Sequence, residues 1–152
     1  LYLKSKLDMW KAQLEHDGYI IYEYSLAKAV NGIFQEYEMR AALLEAEKED
    51  PFNFHDINES LRDILLQDDK LLHKIKEQIE IAEKDDKSLL LLCDIEALHP
   101  YLRIGALEQK LQGKVKNPLV ILYPGKRTGK ATLKFLGIYP DDGNYRSIHI
   151  GD

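Results

Sequence analysis

The residues best placed to handle phosphate sit at the end of one apolar run, in residues 117–129, NPLVILYPGKRTG, and just beyond it. Gly125 and Gly129 accompany three cations, Lys126, Arg127 and Lys130. A Walker A loop needs two glycines separated by four residues, then Lys, then a hydroxyl for magnesium. Here three residues separate the glycines, Ala131 follows Lys130, and Thr132 comes one position late. The stretch after Gly129 reads as strand, so no helix N-terminus would face a phosphate. A glycine-rich connection with exposed cations is the simpler reading. A nucleotide- or phosphate-binding α/β domain using 125–130 stands as the alternative function.

Asp94 and Glu96 follow a second apolar run, SLLLLC. Carboxylates at a strand end can hold a divalent metal. Such a site needs a further acid or lysine from a neighbouring strand, and spacing names none, so Asp94 is expected to cap its turn. LLLLCD also imitates a Walker B strand but precedes the glycine loop, the reverse of the usual order. The five histidines, His16, His55, His73, His99 and His149, have no zinc-ligand spacing. His55 and Asp56 are adjacent, but Asp56 reads better as a helix cap. Cys93 closes an apolar strand and reads as a small core residue. Arg103 lies early in a short helix past Asp94. It can pair with Asp94 or dock an acidic group of a partner. No catalytic residue, metal site or cofactor is assigned.

These side chains need elements to position them. Leu3, Leu7, Trp10 and Leu14 recur at helical spacing over residues 1–16. YIIYEY at 19–24 reads as a strand, and Ser25 as the cap of a long helix reaching about Lys48. Asp56 and Glu59 have capping-box spacing, and Asp68 or Asp69 can cap the next helix, striped by Leu71, Leu72, Ile75, Ile79 and Ala82. This pair, 56–84, predicts an acidic helical hairpin appended to or inserted in the core. SLLLLC at 88–93 predicts a strand. Pro100 suits the first turn of a short helix closed by Gly113. LVILY at 119–123 predicts a central strand buried on both faces. Residues 131–136 and 145–150 flank the turn signal Asp141-Asp142-Gly143-Asn144 and predict an antiparallel hairpin. The fold class is therefore α/β, a mixed, largely parallel sheet flanked by helices, with a C-terminal antiparallel hairpin.

The chain has 152 residues, 45% hydrophobic and 31% charged, which suits one globular domain. It begins at Leu1, directly on a helical pattern, and a preceding N-terminal segment is expected. One cysteine allows no internal disulfide and fits a reducing, cytoplasmic setting. No apolar run approaches a membrane span. Net charge is −5, unevenly spread. Residues 45–86 carry 14 acids and 6 bases, and residues 101–146 carry 9 bases and 3 acids. The overall sign argues against non-specific nucleic-acid binding by the whole surface, and no direct sequence-specific binding is expected; the basic segment suits an acidic partner or a phosphate.

Residues 89–152, LLLLCDIEALHPYLRIGALEQKLQGKVKNPLVILYPGKRTGKATLKFLGIYPDDGNYRSIHIGD, resemble the C-terminal half of the BrxB family of bacterial BREX (bacteriophage exclusion) systems. The shared features are the apolar strand, the ALHPYLRIGALEQKLQ helix, the strand with YPG, and the closing NYRSIHI. The order of helix, long helix and acidic hairpin before them matches too. That family usually carries an extra N-terminal strand segment. The resemblance implies a non-enzymatic cytoplasmic accessory or scaffold protein of anti-phage defence. Its partners would be PglZ, the BREX methyltransferase and a large ATPase. Arg103 falls in the family's Pro-hydrophobic-hydrophobic-Arg pattern and Gly125 in its YPG, as structural or interaction positions.

Overall fold

A computed structural model of the chain describes residues 2–129, 132–140 and 147–150. The order is α1 (Tyr2–His16), β1 (Ile20–Ser25), α2 (Leu26–Gln35), α3 (Arg40–Glu49), α4 (Phe54–Leu66), α5 (Lys70–Ala82), β2 (Ser88–Cys93), α6 (Ile104–Leu111), β3 (Leu119–Ile121), β4 (Gly125–Arg127) and β5 (Leu133–Phe135). A parallel sheet has the order β1-β2-β3, and β4 pairs antiparallel with β5. The chain is thus α/β as its patterns predict. No helix among the described residues is long and apolar enough to cross a membrane.

The middle strand is β2, not 119–123. Leu90, Leu91, Leu92 and Cys93 are all buried, whereas β3 is a short, half-exposed end strand with Val120 37% exposed. Both runs are wholly apolar, and such runs do not reveal which strand has neighbours on two sides. Register follows the parallel pattern, with Tyr22 opposite Leu90 and Leu90 opposite Leu119. On one face Leu90 and Leu92 join a core with α2, α4, α5 and α6, centred on Leu26, Leu65, Leu71, Ile75 and Leu107. On the other face the Lys11–Glu23 ion pair, at 2.8 Å, links α1 to β1.

The acidic hairpin is inserted between β1 and β2 and built into the core. Its predicted stripe is buried, from Leu71 through Ala82. The long helix expected over 26–48 divides in two. Helix α2 ends at Gln35 with Glu36 as its C-cap, and α3 begins at Arg40 and buries none of its residues. Apolar spacing runs unbroken through the break. However, α2 has spent its apolar stripe on Leu26, Ala29, Val30 and Ile33, and Gly32 weakens its last turn. Ser25 caps α2 as expected, accepting from Lys28 N at 3.3 Å. Helix α4 starts earlier than its sequence suggests. Asn53 is the cap, accepting from Asp56 N at 3.3 Å, while Asn53 Nδ2 donates to Asp56 at 2.9 Å. Asp69 stands at the α5 cap position without a capping bond, because its carboxylate pairs with Lys110.

The strand starts are pinned by one polar knot. Buried Ser88 donates to Ala82 O at 2.6 Å and accepts from Asn117 Nδ2 at 2.8 Å, and Asn117 also reaches Asp85 O. The antiparallel hairpin exists, but β5 pairs with β4 ahead of it. Residues 147–150 are not strand, and the expected turn at 141–144 lies outside the described residues. Leu92 is fully buried at the sheet's centre. Leu92→Ala should therefore lower unfolding free energy by about 2–5 kcal/mol in urea titrations.

Candidate functional site

The two connections that leave the carboxyl ends of β2 and β3 build the candidate site, the edge where open α/β sheets place them. After Cys93 the backbone turns left-handed at Asp94 (φ 58°) and forms a 3₁₀ turn over Ile95–Leu98. It then passes a cis His99–Pro100 bond and reaches Arg103, the extended N-cap of α6. Pro100 therefore lies before the helix and not in its first turn. After β3, Tyr123 and Pro124 lead into the β4–β5 hairpin, followed by Tyr139.

Arg103, His99, Tyr123, Phe135 and Tyr139 come together here. The Arg103 guanidinium carbon lies 5.8 Å from the Phe135 ring centre and 5.2 Å from that of Tyr139. Such cation–π contacts hold a planar guanidinium flat. His99 and Tyr139 rings meet edge-on at 4.3 Å, with Nε2 and the hydroxyl 2.5 Å apart. Tyr123 packs on Phe135 at 5.8 Å. Ile95, Leu102 and Ile104 complete a cleft of about 10 Å³, the least that holds one water. Within it Arg103 Nη1 is buried and has no hydrogen-bond partner among the described residues. Burial, and then the Arg103 charge, hold the His99 pKa below its ordinary 6.5.

Asp94 belongs to a different constellation. It accepts from the Ser25 hydroxyl at 2.6 Å, the same hydroxyl that caps α2. Asp94 stands at the N-cap of its turn, as expected, but without a side-chain capping bond, and no ion pair joins it to Arg103, so of the two alternatives for that arginine the pairing with Asp94 is not formed. Cys93 beside it is buried, and burial together with Asp94 and Glu23 pushes its thiol up to about 11. That thiol stays protonated and is a poor nucleophile.

The glycine loop is a hairpin. Thr128 N and Gly129 N both donate to Thr132 O, at 3.0 and 3.4 Å, which removes two amides a phosphate would use. Lys126 and Arg127 are exposed on β4, and Arg127 Nη1 donates to His149 O at 3.3 Å. Lys130 lies outside the described residues. Gly125 has a packing reason. A Cβ there would meet Lys134 O on the facing strand and a Tyr123 ring carbon at 2.5 Å. On α4, His55, Asp56 and Glu59 gather within 4.8 Å, all exposed, in the turn that Asn53 caps.

Reading the sequence singled out Arg103 and Gly125 but missed the aromatic set around them. Phe135 and Tyr139, four residues apart, were the available signal. A family model described as BREX protein BrxB matches residues 22–150, most of the chain. No curated protein and no solved structure matches it.

Two outcomes are expected. The unfolded chain protonates His99 below about pH 6.5 while the folded chain resists. Stability should therefore fall as pH drops below 6.5 and level off beneath the folded pKa. Urea midpoints from pH 7 to 5 should show that slope, and His99→Gln should flatten it. Gly125→Ala should cost about 1–3 kcal/mol in the same titration, since backbone must move to admit the methyl group.

Proposed function

The chain belongs to the BrxB family of BREX anti-phage defence proteins, and from that premise we propose that it is a cytoplasmic, non-enzymatic accessory that binds other BREX proteins such as PglZ through the Arg103 end of its sheet. Arg103 Nη1 carries the reading, buried and without a hydrogen-bond partner. A buried N–H left without an acceptor costs about 1–3 kcal/mol, and a carboxylate brought by a partner would relieve that cost. Room for about one water beside Arg103 suits a single carboxylate oxygen. Lys126 and Arg127, exposed on the adjoining hairpin, would steer an acidic surface toward the cleft.

The neighbouring groups favour holding over reacting. His99 is kept neutral and is engaged with Tyr139, Asp94 is engaged with Ser25, and the Cys93 thiol is held protonated. The Arg103 cluster therefore offers recognition of a planar anion, supported by aromatic packing.

The test is binding of purified PglZ by calorimetry. Arg103→Met keeps the stem's packing and removes the charge. It should leave thermal stability equal or higher and weaken PglZ binding at least about tenfold. Lys126→Ala or Arg127→Ala should cost less than about threefold, with the loss shrinking as salt rises. Unchanged affinity in Arg103→Met would overturn the reading.

A further inference from the structure

A second surface lies on the acidic helices and shares no lining residue with the Arg103 cleft. An open groove of about 390 Å³ runs between α3 and α4, with Leu43 and Ile64 inside it and Tyr37, Met39, Asp63 and Gln67 along it. Helix α3 buries none of its ten residues. A helix that short is marginal in water unless one face is packed against something. The same segment also exposes large apolar side chains: Met39 is 62% exposed, Phe52 84% and Phe54 68%. Residues 36–69, which supply both walls, carry 11 acids against 3 bases, and Asp63 lines the groove itself.

We infer that the α3–α4 groove is a docking site for a basic amphipathic helix of a partner protein. Two facts select that occupant. The walls are helices whose backbone hydrogen bonds are internal, so no strand edge is offered for an extended peptide to extend. What remains is helix-in-groove recognition, with apolar anchors at i, i+3 or i+4, and i+7. The acidic balance of the segment that forms both walls, with Asp63 in the lining, then favours lysine and arginine on the flanks of that helix and repels an acidic one. It also opposes an anionic lipid surface, which draws basic segments. The inference does not depend on what the Arg103 end binds.

The probe is a fluorescein-labelled 14-residue leucine–lysine peptide of amphipathic order, read by anisotropy. Its controls are a scrambled peptide of the same composition and a leucine–glutamate analogue. The decisive variant is Met39→Asp. Met39 is the exposed N-cap of α3, a position where aspartate is favoured, so the helix is retained, as circular dichroism would verify. The change removes an apolar lining group and adds a negative charge. Attraction by charge alone would therefore strengthen binding, whereas a groove that needs its apolar wall would lose it. The expected result is a dissociation constant of about 100 μM or tighter for the amphipathic peptide. Binding should be at least about tenfold weaker for the scrambled peptide and for Met39→Asp, and undetectable for the glutamate analogue. Equal or tighter binding by Met39→Asp, equal binding of the scrambled peptide, or no binding would overturn the inference. So would sedimentation showing that the free chain is a dimer which Met39→Asp dissociates, because the occupant would then be a second copy.

Discussion

A six-residue strand with almost no exposed surface on either side sets the terms for the whole molecule. Strand β2 has hydrogen-bonding edges that require neighbours and two apolar faces that require cover. Its edges are met by β1 and β3, both parallel, so each connection must cross back over the sheet. The crossover from β1 to β2 carries α2 to α5, and that from β2 to β3 carries α6. Helices α2, α4, α5 and α6 all bring side chains to the core that covers Leu90 and Leu92. The acidic hairpin therefore belongs to the fold, because its apolar stripes are part of what buries β2.

The same constraint decides what stands at the carboxyl edge. Chain leaving a buried strand must turn at once, and Asp94 does so in the left-handed region, which aspartate tolerates better than most residues. Its carboxylate is then drawn to the Ser25 hydroxyl at the end of the neighbouring parallel strand. One hydroxyl thus donates to Asp94 and accepts from the α2 amide, joining two crossovers at their origins. An acid so placed stabilises structure. Arg103, nine residues on, finds rings in place of a counter-charge.

Much of this was legible beforehand because period and composition report burial. The α5 stripe, the Ser25 cap and the two apolar strands are local signals, and each element forms where it was expected. What failed depended on context. The break between α2 and α3 has little local signal beyond Gly32, since apolar spacing continues through 36–39 while burial of the stripe stops at Ile33. The rank of β2 over β3 depends on neighbours, which an apolar run does not encode. The pairing of β5 with β4 was missed because Gly125, Lys126 and Arg127 lack strand-forming composition. Their order comes from the partner strand and from the close approach that only glycine permits at 125. Arg103 was legible as a residue, but its aromatic surroundings come from three separate connections.

The contrast between Asp94 and Arg103 bears directly on what kind of protein this is. Catalysis by proton transfer needs a group whose charge changes near working pH beside a reacting atom. At this edge burial and Arg103 hold His99 neutral, and burial, Asp94 and Glu23 hold Cys93 protonated. The shift at Cys93 moves that thiol away from nucleophilic use, and the neutral His99 ring is engaged with the Tyr139 hydroxyl. A guanidinium does not exchange protons at any working pH, so an arginine with a buried, unpaired nitrogen contributes charge and shape alone. On the proposed reading, folding accepts the cost of that charge and binding recovers it. A partner without a carboxylate at the right place would face the same unmet cation and gain nothing, so a flaw in the isolated fold becomes discrimination between partners.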